Sequence, residues 1–460
     1  MNDKVKIMKL NENELIQSIQ SGDLSICVIG IGRIGLPTAL SFANSGLPTI
    51  GVDINTKLVE MINSEIFPLK DEPGYDVIFE KVINKKFNAT TKIEEVISKS
   101  DVVILSLPTP MDKNNVPDYS ALLSVGKQLG QLLSNDTLVI VESTVEPGFI
   151  ENDLISIMEN SEKKLVAGKD FAIGVCPETA NPGQIMNDFE KLPRLVGAID
   201  EKTKNIIIKI YKHVFTVDII SMPNCKTANA VKLTTNVFRD LNIAFVNELA
   251  ILFEKIGIDI VTVLEAAKTK YNFQVHYPGP GVGGPCLPVN SYQLINLAKN
   301  LGFDTLKTVE TGRIINESMP NHVIDLLQDA FDESGKSIVN SNVLVLGISY
   351  KPDVKDIQIS PAQVIIEKLK NLQANVLIYD PYFKSTEVFG LKTASNLVEA
   401  LQNADALILV TAHKEFHDLD PIFLKSKMKT SIVVDSKCII NQLASKNAGL
   451  VYRGLGRGKI

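Results

Sequence analysis

At 460 residues the chain is longer than one ordinary domain, and with 45% hydrophobic residues, 22% charged residues and no tryptophan it has the balance of a soluble globular protein with a sizeable core. The net charge is −6 with Lys and Glu interspersed, so no basic face is offered to nucleic acid, although a helix N-terminus can still hold a small diphosphate in an acidic protein. Met1 to Gln20 has no apolar core of a leader, and no stretch reaches the roughly 18 uncharged apolar residues of a membrane span. The expectation is a cytoplasmic protein bound to neither membrane nor nucleic acid. The five cysteines, Cys27, Cys176, Cys225, Cys286 and Cys438, are odd in number and lack CxxC spacing; this argues against a disulfide framework and a zinc site, and no metal is expected.

In chain order, an N-terminal extension (1–24) precedes a run of apolar segments separated by helical stretches. These are Ile26 to Ile29, Thr49 to Val52, Asp101 to Leu107, Leu138 to Val141, Phe171 to Val175 and Arg194 to Val196, the pattern of a parallel sheet buried on both faces. They predict a doubly wound α/β domain over 25–205. From 206 to 335 the pattern turns helical, with one long spine helix over Lys226 to Ile256. It is interrupted by Tyr277-Pro-Gly-Pro-Gly-Val-Gly-Gly-Pro-Cys-Leu-Pro288, too rich in Gly and Pro for helix or strand. Alternation returns over 336–460 with Val343 to Leu346, Asn375 to Tyr379, Ala406 to Val410 and Ser431 to Val434. The predicted architecture is α/β, two doubly wound Rossmann-like domains joined by a helical middle section.

Gly30-Ile-Gly-Arg-Ile-Gly35 follows the first strand and opens a helix, the context a dinucleotide fingerprint requires. Gly30 allows the tight turn, Gly32 the approach of a pyrophosphate and Gly35 the packing of helix on strand. Asp53 ends the second strand; a carboxylate there accepts from both ribose hydroxyls and repels a 2′-phosphate, which favours NAD over NADP. The expected cofactor contacts are Gly30, Gly32, Arg33, Ile34, Gly35, Asp53, Pro108, Thr109 and Thr144. Cys286 sits on the Gly-Pro loop, whose extended backbone can lie against a ligand; the alternative is a small buried hydrophobe. Lys232 and Asn236 share a helix face at i and i+4 and suit an alkoxide or tetrahedral intermediate if buried, whereas a solvated face would leave them idle. Glu142-Ser-Thr-Val-Glu-Pro-Gly148 and Cys176-Pro-Glu-Thr-Ala-Asn-Pro-Gly183 follow strands at the edge where doubly wound sheets hold ligands.

Together these motifs, with Asn247-Glu248, Gly283-Gly-Pro-Cys-Leu-Pro288, Tyr350-Lys-Pro-Asp353 and Ser360-Pro361, resemble the nucleotide-sugar 6-dehydrogenases, over about Ser25 to Arg457. The resemblance implies a four-electron oxidation of a sugar C6 alcohol to a carboxylate, with NAD as acceptor. Cys286 matches the nucleophile that holds the intermediate as thiohemiacetal and thioester. Lys232 matches the group that stabilises the oxyanion, supported by Asn236. Glu178 matches a general base, with Thr144 placing a water. Tyr277, Gly281, Gly283 and Lys351, together with Glu178, Lys232 and Asn236, are the substrate contacts implied. The last domain would bind the nucleoside diphosphate and the central helices would form a homodimer. Pro278-Gly-Pro-Gly-Val-Gly-Gly284 and Cys176-Pro-Glu-x-x-x-Pro-Gly183 look most like the N-acetylhexosamine branch, which points to UDP-N-acetylmannosamine, then UDP-N-acetylglucosamine, in polysaccharide biosynthesis.

Three positions depart from the family's pattern. Asn290 stands near where an acidic residue is usual, Gln358 and Ile359 occupy a stretch that commonly carries an arginine, and Thr179 follows Glu178 where the N-acetylhexosamine branch has arginine. His276, ten residues before Cys286, invites a Cys-His hydrolase, but no third orienting residue is apparent. His413 has a family counterpart near the nucleotide and reads equally as a surface turn. Two other functions remain open: a two-electron hydroxyacid or 6-phosphogluconate type dehydrogenase, which would need neither Cys286 nor a third domain, and a catalytically weak nucleotide-sugar-binding protein.

Overall fold

The structure, a computed structural model, describes residues 5–303 and 306–458; residues 1–4 of the N-terminal extension lie outside them. The chain divides into two compact units, Met1–Thr235 and Asn236–Ile460. The division falls inside the spine helix, Cys225–Ile256.

The first unit carries eight strands: β1 (Ile26–Ile29), β2 (Thr49–Val52), β3 (Phe87–Thr90), β4 (Val102–Leu105), β5 (Thr137–Val141), β6 (Phe171–Val175), β7 (Arg194–Ala198) and β8 (Ile219–Ser221). Their spatial order is β3-β2-β1-β4-β5-β6-β7-β8. Every residue of β1, β4, β5 and β6 is buried, as expected when helices cover both faces of a sheet. The helix Gly35–Asn44 packs Leu36, Ala39, Leu40 and Phe42 out of solvent, and burying a side chain such as Leu40 stabilises the fold by roughly 1.5–3 kcal/mol. The N-terminal extension holds a helix, Glu12–Gln20, opened by a reciprocal capping box between Asn11 and Glu14.

Two strands depart from the parallel arrangement expected, β7 and, parallel to it, β8. β7 pairs antiparallel with β6, Gly174 opposite Ala198 and Val175 opposite Gly197. A short apolar run buried on both faces reads the same in either direction, so the pattern carries no orientation. The reversal matters for the site: the same register, continued past the end of β6, brings Arg194 opposite Glu178.

In the second unit the remainder of the spine helix is followed by helices Ile260–Ala267, Leu287–Asn300 and Lys307–Glu333. Gly312 lets the last of these approach the spine closely; a Cβ there would come 2.5 Å from a methyl of Leu241. A five-stranded parallel sheet follows, in the order Asn375–Tyr379, Asn342–Leu346, Ala406–Leu409, Ile432–Asp435, Val451–Gly454. Among the described residues no helix is long and apolar enough to cross a membrane.

Candidate active site

The fingerprint turn at the end of β1 is built for close approach. Gly30 has φ +86°, and a Cβ on it would meet the Ser106 carbonyl oxygen at 2.5 Å. A Cβ on Gly35 would lie 1.8 Å from the Gly30 oxygen, so helix and turn touch only because both are glycine. Gly32 is exposed with open space where its Cβ would be, and Ile34, at the N-cap, leaves the helix without a side-chain cap. Uncapped N–H groups beside an open glycine fit a pyrophosphate. Asp53 accepts the Ile31 N–H (3.1 Å) and the Asn55 N–H (2.9 Å) and stays half-buried at the sheet edge, the placement a ribose diol needs.

Around this turn the neighbouring loops are tied together. Thr109 donates to the Thr144 carbonyl at 2.9 Å, and Ser143 Oγ accepts the Leu107 N–H at 2.8 Å while donating to the Leu107 carbonyl at 2.9 Å; Pro108, between them, is exposed. Arg33 reaches away from the helix to Asp71 (2.8 Å) and Glu72 (3.1 Å). Glu72 in turn accepts the Gly183 N–H at 2.6 Å, so the fingerprint is linked to the turn that carries Glu178. Sequence reasoning did not foresee that link, because Glu72 belongs to no motif it recognised.

Glu178, nearly buried, is held on both oxygens. Oε1 accepts the N–H groups of Thr179 and Ala180, each at 2.7 Å, and Oε2 accepts from Arg194 Nη1 at 2.9 Å. Behind it Glu142, fully enclosed, accepts from Tyr211 Oη (2.6 Å) and Thr38 Oγ1 (3.0 Å). Burial, then the charge of Glu178, push Glu142 up to about 7 against the pull of Arg194. Arg194 is the residue that sequence reasoning missed here. Its signal was a charged residue opening an apolar strand.

Cys286 belongs to the second unit. Cys286 is exposed and occupies the N-cap of the helix Leu287–Asn300. The Gly-Pro loop therefore ends at Cys286 rather than at Pro288, which sits in the first helical turn where a missing N–H costs nothing. Gly281 and Gly284 have φ +126° and +88°; a Cβ on Gly283 would come 2.3 Å from the Ile359 oxygen and one on Gly284 2.6 Å from the Tyr350 ring. The Gly284 N–H donates to the Gln358 carbonyl at 3.0 Å. Gln358 thus supports the loop through its backbone, while its side chain, exposed, bonds Asp356 (3.1 Å). Lys351 lies half-buried in the same segment.

Lys232 is buried, which removes the solvated-face reading, and Asn236 follows one turn later. Asn236 Nδ2 donates to Asn290 Oδ1 at 2.5 Å, and Asn290 Nδ2 to Gln293 Oε1 at 2.9 Å. Asn290 is therefore the fixed partner of Asn236. Further along the same face Asp240 accepts from Ser291 Oγ (2.7 Å) and Arg313 (2.9 Å), and Asn247 accepts the Gly279 N–H at 2.9 Å. The spine helix thereby fixes both the loop before Cys286 and the turn after it.

Other residues read differently from expectation. His276 bonds the Gln274 carbonyl at 3.1 Å and packs its ring 6.3 Å from Phe238, with no bond to Cys286. The Tyr277 hydroxyl, half-exposed, donates to Glu265. His413 is no surface turn: it is fully enclosed, bonded to Asp380 at 2.9 Å. Lys437, also not foreseen, brings its Nζ to 2.6 Å from where a Gly279 Cβ would be; it follows the strand Ile432–Asp435, and burial lowers its pKa. Among the described residues no cluster of three His, Cys, Asp or Glu is placed to hold a metal.

A dinucleotide turn with an acidic strand end, on a chain carrying a second parallel sheet, defines an NAD-dependent dehydrogenase. Three adjoining family models match: UDP-glucose/GDP-mannose dehydrogenase family, NAD binding domain, over residues 24–215; its central domain, over 226–318; and its UDP binding domain, over 344–442. The chain belongs to the UDP-glucose/GDP-mannose dehydrogenase family. It is 33% identical to a UDP-N-acetyl-D-mannosamine dehydrogenase of Pyrococcus horikoshii over 438 residues, 95% of this chain and 100% of that one. It is 34% identical to Protein CapL of Staphylococcus aureus over 91% of this chain and 96% of that one. The solved UDP-D-ManNAc dehydrogenase structure from Pyrococcus horikoshii superposes with TM-score 0.88 at 33% identity, covering 95% of this chain and all of that one.

Proposed function

We propose that this nucleotide-sugar dehydrogenase oxidises the C6 alcohol of a UDP-N-acetylhexosamine, UDP-N-acetyl-D-mannosamine in preference to UDP-N-acetylglucosamine, to the uronate. The observation that carries this is the exposed Cys286 at the end of a glycine loop clamped by the spine helix, in a chain whose near relatives bear the UDP-N-acetyl-D-mannosamine dehydrogenase name. Bound at Gly30, Gly32, Gly35 and Asp53, with Arg33, Ile34, Pro108, Thr109 and Thr144 around it, NAD supplies a two-electron acceptor, so two molecules are used in turn for each sugar.

The chain's own residues do the rest. Lys232, assisted by Asn236, stabilises negative charge on the reacting oxygen as the C6 hydroxyl gives its proton to solvent and C6 gives up its first hydride, leaving the aldehyde. The Cys286 thiolate adds to the C6 aldehyde carbon, forming a C–S bond and a thiohemiacetal that keeps the aldehyde from escaping. Loss of the second hydride from C6 leaves a thioester. Water, placed by Thr144, adds to its carbonyl carbon; Glu178 takes the water proton, the C–S bond breaks and its electron pair returns to sulfur. One alcohol and one water thus become one carboxylate with four electrons passed on. Tyr277, Gly281, Gly283 and Lys351 line the substrate, and the sheet of the second unit receives its UDP. The chain acts as a cytoplasmic homodimer: Phe238, Phe245 and Leu252, seven residues apart on the spine helix and about half-exposed, form an apolar stripe suited to a second copy.

The test is NADH released per sugar nucleotide with UDP-N-acetylmannosamine, UDP-N-acetylglucosamine and UDP-glucose. Two NADH per molecule with the first and the highest kcat/KM among the three supports the reading. One NADH, or preference for UDP-glucose, overturns it.

A further inference from the structure

Arg194 has a setting unlike any other cation among the described residues. Its guanidinium is 3.7 Å from the ring centroid of Phe215 and 4.3 Å from that of Phe189, and its side chain is almost wholly enclosed. Its Nη1 faces two carboxylates, Glu178 at 2.9 Å and Glu142 at 3.9 Å. Burial works against the charge, yet Glu178, Cys176, Glu142 and Tyr211 together raise its pKa above the ordinary arginine value, so the guanidinium stays charged. A planar fork seated on aromatic faces loses little freedom when it bonds.

The cluster draws on β5, β6 and β7 and on two helices. Glu142 follows β5 and is bound by Tyr211 of the helix Glu201–Val214 and by Thr38 of the fingerprint helix. Glu178 follows β6, and Arg194 opens β7. The antiparallel turn of β7 is what brings cation and carboxylate opposite each other. Since Thr179 and Ala180 hold one Glu178 oxygen through their own backbone, the second oxygen, and with it the rotamer, is set by Arg194. A carboxylate that must take a proton from water tolerates little displacement.

We propose that Arg194 is a positioning residue for thioester hydrolysis: it fixes the Glu178 carboxylate from behind, with Glu142, itself held by Tyr211 and Thr38, bracing the guanidinium. This rests on the reading of Glu178 as the base. The role belongs to the hydrolytic step, because the hydrogen bond Arg194 makes is to Glu178.

The experiment uses full-length enzyme, NAD and UDP-N-acetylmannosamine, or whichever of the three sugar nucleotides the wild type turns over. It follows the Cys286 adduct by rapid quench and intact mass beside steady-state KM and kcat. Arg194→Gln should slow adduct breakdown roughly tenfold to a hundredfold, so that the adduct accumulates while KM for the sugar nucleotide stays within about twofold. Arg194→Lys keeps the buried charge, folds where the glutamine variant fails, and should slow breakdown less. Breakdown at the wild-type rate in Arg194→Lys and Arg194→Gln, or an equal fall in both oxidation and breakdown with a raised KM, overturns the proposal. Glu178→Gln separates the two ideas. If it blocks breakdown while the Arg194 variants do not, the positioning role alone fails; if it leaves breakdown intact, the reading of Glu178 as the base fails and the proposal with it.

Discussion

The two large sheets of this protein start from the same device and use it for different ends. In each, a glycine with positive φ follows a central strand, Gly30 (+86°) and Gly347 (+78°), and an aspartate ending the neighbouring strand accepts the next N–H: Asp53 from Ile31 at 3.1 Å, Asp380 from Ile348 at 2.8 Å. There the likeness ends. Asp53 is half-buried, and beyond the turn its remaining bond is to Asn55. Asp380 is fully enclosed and also receives the Ser349 and Tyr382 N–H groups and His413 Nε2. The Asp353 N–H donates to His413 Nδ1 at 3.0 Å, so the imidazole donates to Asp380 through its other nitrogen. In the first unit a helix opens at Gly35, at once after the turn; in the second the next helix opens only at Pro361. A fingerprint aspartate serves a ribose only if the protein leaves it open, and the second unit has closed its own.

Mutation should separate the two aspartates. Asp380→Ala leaves His413 and three N–H groups unpaired in the interior and should cost about 3–5 kcal/mol of stability, read by denaturant unfolding. Asp53→Asn should leave thermal stability nearly unchanged but raise KM for NAD about tenfold or more, as befits a lost charged hydrogen bond of roughly 1.5–3 kcal/mol, and should weaken the preference for NAD over NADP. Equal losses of stability in both variants would break the comparison.

The buried acids of the two units also respond to pH with opposite signs. Burial opposes the charge of Asp380, but His413 and the backbone N–H groups hold its pKa below the ordinary value; its contribution to stability is present above about pH 4 and is lost as pH falls further. Glu142 is raised from 4.5 to about 7, so the folded state favours its protonated form, and stability declines as pH rises from about 4.5 through 7. Glu142→Gln should flatten that decline in a series of thermal melts between pH 5 and 8, and an unchanged slope would remove Glu142 as its source. The smallest effect is expected at Gln358. Gln358→Ala should alter stability by less than about 0.5 kcal/mol and leave KM for NAD unchanged, since the backbone carbonyl, not the side chain, meets Gly284.

Much of this was legible in the sequence because it depends on local rules. The apolar runs gave the central strands within a residue or two, and three- and four-residue spacing gave the spine helix, expected from Lys226 and found from Cys225. The fingerprint turn followed from its glycines. What was not legible depends on partners distant in sequence or on orientation. The edge strands Phe87–Thr90 and Val451–Gly454 carry Asn88 and Arg453 within them and do not read as apolar runs. The direction of β7 leaves no trace in composition. Asn290 looked like a missing acid, yet it is the hydrogen-bond partner of Asn236. Arg194 and Lys437 belonged to no motif, and only the folded chain sets one against Glu178 and the other against the loop before Cys286.

The central claim is that Cys286 carries the sugar between two oxidations. The most direct test is intact mass of the quenched enzyme after a single turnover with NAD and UDP-N-acetylmannosamine, for wild type and Cys286→Ser. The account predicts a sugar-nucleotide adduct located to Cys286 in the wild type, two NADH per sugar, and in the variant no adduct and loss of uronate formation by at least about a thousandfold. A Cys286→Ser enzyme that still releases two NADH per sugar, or an adduct on another residue, would contradict it.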